Sequence, residues 1–524
     1  MPAIVTPVTH QPFSVARLRS GLLHFVVGKA ASAVIGIGWL LVLVRALGVN
    51  DYAGYVILLA ALEIGLLVTN AGVYPFAQRY VTEARLPANV SRLTALVWGS
   101  FAYRILTLAM LAGVMAIWPE EIAGVLRSPI LAGILPMYAA IIVVEGSIRY
   151  LELVFESLLE QGKAQLSAVA RNGLRVIAVL ALWHGQETLN LHAVIAVELI
   201  CSSLGLFLGV LLMRQSLGKY ANQAVIGDRP ADFSLRRLWP FAAPLFVAQC
   251  ATQIYSPDAI KLIVSRLFGA VEAASFGFAH AISFVLQRYL PAQLLLGLIR
   301  PMLVARQQQA GAAEQLNLVG GLVLKINLLL LLAPAAVFAV AGSEFTAWLS
   351  GGRYPGAGPI LFLLTLLLIL NGTHIVLSML ATTLENSRAV LWGTLVSIPG
   401  VFIGVALAPK LGAIAMVLGL WASELAWCGL ALVLLRSGGL TLRFDVGAWL
   451  KLLAAAAVAA LASMLLREGL ALQGRAALLS VAGVALPVYA LLAWRLKPFR
   501  TDEQALMRKL LPHRRGGAPA TGAP

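Results

Sequence analysis

The sequence predicts an all-α integral membrane protein with about fourteen transmembrane helices. Of its 524 residues, 60% are hydrophobic and only 12% are charged, and the mean hydropathy is +0.87. A helix needs about 20 mostly apolar residues to cross the hydrocarbon of a bilayer, and stretches of that length recur along the chain. Segments such as GLVLKINLLLLLAPAAVFAVAG are continuously apolar, whereas the strands of a membrane barrel would alternate with a period of two.

Apolar runs between short polar breaks define the spans. The first span follows a polar lead and is too long for the core of a signal peptide, so we expect it to be retained. The expected spans are 21–44, 54–75, 94–117, 131–156, 167–184, 192–213, 241–265, 274–299, 319–341, 358–384, 390–408, 412–435, 447–466 and 476–494.

The distribution of positive charge predicts the orientation of these spans. With the N-terminus in the cytoplasm, 24 of the 39 Lys and Arg residues lie in or at the ends of cytoplasmic segments, seven lie on the opposite side and eight lie within spans. This asymmetry follows the positive-inside rule. We therefore expect both termini to be cytoplasmic, and we expect the basic start of the tail to attract anionic membrane lipids rather than nucleic acid.

A repeated interruption in the apolar pattern indicates a duplication. RALGVNDYAGYV at 45–56 matches RLFGAVEAASFG at 266–277 with an offset of 221, and LEQGKA at 159–164 matches LENSRA at 384–389 with an offset of 225. Six spans separate the copies, so both have the same orientation across the membrane. Parallel repeats of this kind typically enclose a substrate path between two lobes.

The duplication predicts the domain organisation. The expected parts are a six-helix lobe over 1–220, a cytoplasmic linker over 221–240, a second six-helix lobe over 241–436, two additional transmembrane helices over 437–495 and a basic, disordered cytoplasmic tail over 496–524.

The stretch LVRALGVNDYAGYVILLAALEIGLLVTNAGVYPFAQRYV resembles the opening of a known family, the polysaccharide transporter branch of the multidrug/oligosaccharidyl-lipid/polysaccharide exporter superfamily. The resemblance implies two parallel six-helix lobes around a central lumen, lined mainly by spans one, two, seven and eight. It implies a flippase for an isoprenoid-diphosphate-linked oligosaccharide, in a bacterial inner membrane, for O-antigen, capsule or exopolysaccharide synthesis. Candidate partners are a polysaccharide polymerase and glycosyltransferases.

Charged residues within spans are the candidate site residues, because such residues are costly in lipid and by default face a partner or a cavity. Arg288 is the leading candidate for binding a phosphate, since a guanidinium fork suits phosphate oxygens. Lys261 and Lys29 are further candidates for substrate binding in a cationic lumen. Asp258 and Glu63 are candidates for a coupling ion or for charge pairs.

Structural roles compete with these interpretations. Asp258 and Lys261 are spaced i, i+3 and could neutralise each other. Arg104 with Glu145, and Arg149 with Glu145 or Glu152, could form ion pairs. Arg171, Arg175 and Lys325 lie near cytoplasmic ends, where snorkelling would explain them. Pro257 and Pro291 predict kinks beside Asp258 and Arg288.

Enzymatic activity, a cofactor and a metal site are not expected. The sequence has no Walker A, HExxH or GxGxxG motif, and Cys201, Cys250 and Cys428 all fall inside spans. The functional alternatives are a lipid II flippase and, less favoured, a cation or drug antiporter. The lipid II branch usually carries arginine inside the first helix, where this chain has Ile37 to Leu40. An antiporter would suit Asp258 but not Lys261 and Arg288.

Overall fold

The structure, a computed structural model, describes residues 34–84, 90–158, 160–221, 246–247, 249–293, 312–383, 387–437 and 444–510. Its contacts divide the chain into two compact units, residues 1–274 and 275–524. Lys29 and most of the expected 221–240 linker lie outside the described residues, so the boundary between the two repeated lobes stays a prediction.

Helices make up nearly all of the described residues. In the first unit they are α1 (Val34–Ala46), α2 (Val49–Val68), α3 (Val73–Ala84), α4 (Val90–Ile117), α5 (Pro119–Val125), a 3-10 turn (Pro129–Leu131), α6 (Leu135–Ser157), α7 (Gln161–Trp183), α8 (Leu191–Ala221) and α9 (Pro257–Phe268). Helix α10 (Ala270–Arg288) begins in the first unit and ends in the second. The second unit continues with α11 (Ala312–Ser350), α12 (Ala357–Thr383), α13 (Ser387–Ser397), α14 (Pro399–Leu411), α15 (Ala413–Ser437), α16 (Val446–Gly469), α17 (Gly474–Leu496) and α18 (Thr501–Leu510). Helix α18 lies within the tail expected to be disordered, so that expectation is wrong for residues 501–510.

The predicted class of a multi-pass helical membrane protein is confirmed. Within the described ranges, eleven helical segments are long and apolar enough to cross a membrane. The remaining three of the fourteen expected spans have specific reasons to be missing from that set. Span one is described only from residue 34, span four is α6 with its several charges, and span seven is broken at Tyr255 and Ser256.

Helix starts recur along the chain at nearly the spacing of the sequence repeat. Pairs of corresponding starts are Val49 and Ala270, Leu135 and Ala357, and Leu191 and Ala413, which lie 221, 222 and 222 residues apart. Gly48 and Gly269 precede the first of these pairs, and Gly269 has φ +90, a conformation that suits glycine. The recurrence supports the duplication that the sequence indicates.

Helix α7 shows the polarity expected of a helix that faces lipid on one side. Its buried stripe is Ala164, Ser167, Arg171, Arg175 and Val179. Exposed apolar side chains, among them Leu166, Leu174, Ile177 and Leu180, point away from that stripe. Because lipid solvates apolar groups and not charges, the charged face packs against protein while the apolar face is left outside.

Small residues allow close helix contacts in the second unit. Gly342 on α11 lies against Gly358 on α12, and a Cβ on Gly358 would overlap the backbone nitrogen of Ser343. Interfaces of this kind are typical of membrane helices, where packing rather than water exclusion holds helices together.

Candidate functional site

A break in the second span separates α2 from α3, and Arg104 stabilises it. Residues 69–72 form the turn, in which Ala71 and Gly72 have φ values of 42 and 79. Arg104 donates from Nη1 to the Thr69 hydroxyl at 3.0 Å and from Nη2 to the Leu66 carbonyl at 2.9 Å, and it is fully buried. A cation at the end of a helix satisfies its free carbonyls and interacts favourably with its dipole. Arg104 therefore binds the end of α2 and not Glu145, the partner that the sequence suggested.

A buried ion-pair network joins α6, α7 and α8. Glu145 accepts hydrogen bonds from Arg171, at 2.7 Å, and from Arg175. Arg171 also reaches Glu152 at 3.4 Å, and Arg175 reaches Glu198 at 3.3 Å. Three carboxylates thus share two guanidinium groups.

The snorkelling interpretation of Arg171 and Arg175 is wrong, because each is only 7% exposed and each is bound to acids inside the unit. The snorkelling interpretation of Lys325, in the second unit, is wrong for the same reason. It is 2% exposed and binds Asp445 at 2.7 Å and Glu503 at 2.8 Å. A buried basic side chain that does not reach water needs an acidic partner inside the protein. The sequence alone did not show which acids would be the partners of Arg171, Arg175 and Lys325.

Arg149 and Glu63 form an ion pair of a different character. The two guanidinium nitrogens Nη1 and Nη2 donate to Oε2 and Oε1 of Glu63 at 2.7 and 2.6 Å. The side chains are 35% and 33% exposed, although both lie well inside α6 and α2. The partners that the sequence suggested for Arg149, Glu145 and Glu152, bind Arg171 instead. Since lipid is a poor environment for exposed charges, this pair belongs beside water or a polar ligand.

The seventh span breaks where Pro257 predicts a kink. Helix α9 starts at Pro257, and the Ser256 hydroxyl caps it by accepting from the Ala259 amide. Lys261 donates to Asp258 at 2.7 Å and is 5% exposed, so these two residues form the ion pair that their spacing allows. Helix α9 packs against α2, which carries Glu63. A direct contact of Lys261 or Asp258 with a ligand stays a prediction.

Arg288 is the last residue of α10, in the second unit. A break at residues 289–290 follows it, and helical structure resumes at Pro291, so the kink predicted there is also present. The side chain is exposed, and no acid in the described part of the chain lies within ion-pair distance of it. Its predicted role as a phosphate ligand is untested, but no described acid competes with a ligand for it.

The acidic and basic side chains that make these contacts in the first unit are equal in number. They are the acids Glu63, Glu145, Glu152, Glu198 and Asp258 and the bases Arg104, Arg149, Arg171, Arg175 and Lys261. An excess of positive charge, as expected of a cationic lumen, is therefore not found among these residues. The groups best placed to meet an anion are the partly exposed side chain of Arg149 and the exposed side chain of Arg288. In the described ranges no cluster of three or more His, Cys, Asp or Glu side chains could hold a metal ion.

No known protein family matches the sequence, and no curated protein matches it either. Solved structures do match the fold. The lipid II flippase MurJ in an inward closed conformation superposes with a TM-score of 0.65 at 14% identity, over 92% of this chain and 99% of that one. A multidrug resistance MATE family transporter of the MOP superfamily, in an inward-facing conformation, matches with a TM-score of 0.60 at 14% identity, over 80% of this chain and 98% of that one.

A third match is the MATE multidrug transporter DinF-BH, with a TM-score of 0.58 at 15% identity, over 81% of this chain and 96% of that one. At these identities the comparisons show the fold. This chain shares the helical fold of these three transporters.

Proposed function

We propose that this protein is a flippase that moves an isoprenoid-diphosphate-linked oligosaccharide from the cytoplasmic to the periplasmic leaflet of a bacterial inner membrane. Both termini lie in the cytoplasm in this proposal, as the positive-inside pattern predicts. The fold of membrane transporters supports a transport function. The residues of the polysaccharide transporter resemblance support the substrate class.

The exposed ion pair of Arg149 and Glu63 is the observation that carries the proposal. A diphosphate cannot enter hydrocarbon unaided, because an uncompensated charge there is very costly. A guanidinium that already holds a carboxylate with two parallel hydrogen bonds has the geometry that also fits two phosphate oxygens. The third of each side chain that stays exposed gives a ligand access to the pair.

Substrate binding then proceeds by exchange. In the absence of substrate, Glu63 holds the Arg149 fork in place and neutralises its charge. A diphosphate, with more negative charge than one carboxylate, displaces Glu63 and takes over both hydrogen bonds. Arg288, in the other unit, is a separate candidate for meeting an anion, since it lacks an acid partner among the described residues and ends a helix at a break.

The membrane potential provides a driving force for export. Moving a diphosphate outward carries about two negative charges toward the positive side, which releases about 2.3 kcal/mol per charge per 100 mV.

A lipid II flippase is the second candidate. The MurJ structure covers 92% of this chain, whereas the MATE structures cover 80% and 81%. Lipid II shares the isoprenoid diphosphate, so Arg149 would serve it equally well. A drug or cation antiporter is less favoured, because its required free acid is absent at both sequence candidates: Glu63 and Asp258 are each neutralised by a base.

The experiment uses the full-length protein in vesicles loaded in one leaflet with a fluorescent isoprenoid-diphosphate oligosaccharide, with lipid II, or with a cationic dye. We expect the oligosaccharide to become accessible in the opposite leaflet faster than lipid II does, and the cationic dye to move no faster than in empty vesicles. Faster movement of lipid II supports the second candidate, and movement of the dye alone contradicts both.

Arg288→Ala tests Arg288 as a ligand in the same assay, with Arg214→Ala as the control at an exposed position at the cytoplasmic end of α8. Loss of movement in the first variant alone supports Arg288 as a ligand. Wild-type movement of the oligosaccharide by Arg288→Ala would show that Arg288 is not a ligand.

A further inference from the structure

Helix α12 carries a polar interruption, Asn371 to His374, within a long apolar run. Three of its four residues are engaged in the packing of the unit. Gly372 lies against α11, Thr373 donates to a carbonyl of its own helix at 3.1 Å, and His374 Nδ1 lies 2.8 Å from a glutamate oxygen on α15. The remaining residue, Asn371, faces α10.

Asn371 forms an amide pair with Gln287, near the end of α10. Gln287 Nε2 donates to Asn371 Oδ1 at 3.1 Å. Neither side chain makes another hydrogen bond among the described residues. An amide side chain has two N–H donors and an oxygen with two lone pairs. Their single shared hydrogen bond therefore leaves both nitrogens and both oxygens of the pair with capacity for a ligand.

The surroundings of the pair are not those of a side chain that faces lipid. Both residues are partly exposed, yet no residue of α12 between positions 360 and 381 is fully exposed. Helix α12 is thus an interior helix, and Asn371 opens into space between helices. Unmet hydrogen bonds of an amide are costly in hydrocarbon. The space beside the pair therefore suits water or a polar ligand.

The pair lies at the break that carries Arg288. Gln287 directly precedes Arg288, whose exposed side chain ends α10. On the far side of the break, Asn327 of α11 accepts from the Ala292 amide at 3.1 Å and is 2% exposed. Side-chain amides of α11 and α12 thus hold the chain on both sides of the break. A cation and a pair of uncharged amides are placed together there.

We propose that Gln287 and Asn371 bind the sugar residues of the lipid-linked oligosaccharide that lie next to its diphosphate. This inference rests on the proposed function and names the part of the substrate that the amides contact. Sugar hydroxyls and acetamido groups both donate and accept hydrogen bonds, as amide side chains do. The first sugar is joined directly to the diphosphate, so its ligands must neighbour a phosphate ligand, as Gln287 neighbours Arg288.

A purely structural amide pair is the competing explanation, because hydrogen bonds between side chains also hold membrane helices together. Loss of a structural contact would weaken the binding of every ligand by a similar factor. Loss of a sugar contact would weaken only ligands that carry sugars. The ratio of two affinities, measured on the same protein, separates these cases and does not depend on how much of a variant is folded.

Equilibrium binding to the purified full-length protein in detergent measures this ratio. The two probes are an isoprenoid diphosphate that carries an oligosaccharide and the same isoprenoid diphosphate without sugars. We expect the wild type to bind the first with a Kd about tenfold lower or more, and Gln287→Met and Asn371→Leu each to reduce this preference about threefold or more. Gln215→Leu, at an exposed position near the end of α8, should keep it.

Arg288→Ala should weaken the binding of both lipids alike and keep the preference for sugars. Equal Kd values for the two lipids in the wild type, or a full preference in both amide variants, would overturn the sugar site. Loss of the preference in Arg288→Ala would also contradict it, since the amides are intact in that variant.

The vesicle assay separates failure of this site from failure of the proposed function. Wild-type vesicles that move the oligosaccharide, together with equal Kd values for the two lipids, would remove the sugar site alone. A preference that depends on the two amides, in a protein that moves no oligosaccharide, would support the site and contradict the flippase. A wild type that binds neither lipid would overturn both.

Discussion

Arg149 holds Glu63 through two parallel hydrogen bonds of 2.7 and 2.6 Å while about a third of each side chain stays exposed. In the same unit, Arg171 binds Glu145 at a similar distance, but there the side chains are only 8% and 5% exposed. The chemistry of the two pairs is the same and their surroundings differ. An exposed pair can exchange its carboxylate for another anion at low cost, whereas opening a buried pair leaves an uncompensated charge.

Releasing the Arg149 fork should strengthen substrate binding. In Glu63→Gln the amide binds the guanidinium more weakly than a carboxylate does, so we expect the KM for the lipid-linked oligosaccharide in vesicles to fall about threefold to tenfold. Arg149→Lys keeps the charge and loses the fork, so its KM should rise. An unchanged KM in both variants would contradict the exchange mechanism.

Two isosteric substitutions in the buried network should differ in stability. Glu145 binds both Arg171 and Arg175, so Glu145→Gln should lower the free energy of unfolding by about 3–5 kcal/mol. Glu198 has one oxygen, Oε2, without a partner among the described residues, and the network has one carboxylate in excess. Glu198→Gln should therefore cost less than about 1 kcal/mol. Denaturant unfolding of the detergent-solubilised protein checks both values, and equal losses would show that the excess charge does not matter.

The length of the apolar runs predicted the helices, because length and apolar character decide which segments cross a membrane. The same information located the charges within the spans but not their partners. Arg149 binds a residue 86 positions away in sequence, and spacing along one helix carries no information about such contacts. Arg171 and Arg175 share a helix face with Ala164 and Ser167, a small and polar stripe that could have indicated burial.

Helix breaks were predictable only where proline causes them. Pro257 and Pro291 lie at the two breaks that the sequence indicated. The break between α2 and α3 depends on Ala71 in a left-handed conformation, which its residue type disfavours. The Arg104 contacts that stabilise this turn are tertiary, so the sequence did not reveal them.

Close packing of α11 on α12 should make Gly358 intolerant of a side chain. A Cβ at this position meets the backbone of Gly342 and Ser343, which cannot move aside as a flexible side chain can. We expect Gly358→Ala to destabilise the protein by about 1–3 kcal/mol, the usual cost of overpacking. Gly356→Ala is the matched control, because a Cβ there meets nothing within 4 Å. The melting temperatures of the two variants in detergent check this, and equal values would contradict the close approach.

The cluster around Asp445 should make the stability of the second unit depend on acidic pH. Burial acts to raise the pKa of Asp445, but hydrogen bonds from Lys325 and the Ala448 amide, together with the charges of Lys325 and Arg500, hold that pKa below its ordinary value. A carboxyl whose pKa is lower in the folded protein contributes stability that is complete above its unfolded pKa of about 3.9. The contribution is lost as the pH falls through the folded value.

Asp445→Asn isolates this contribution, because asparagine can still cap α16 but carries no charge. We expect the variant to melt below the wild type at pH 7 and the difference between them to shrink as the pH falls below about 4. Arg475→Gln, an exposed substitution at the start of α17, should show no such convergence. A difference between Asp445→Asn and wild type that persists or grows below pH 4 would mean that the Asp445 carboxylate does not stabilise the folded protein through Lys325.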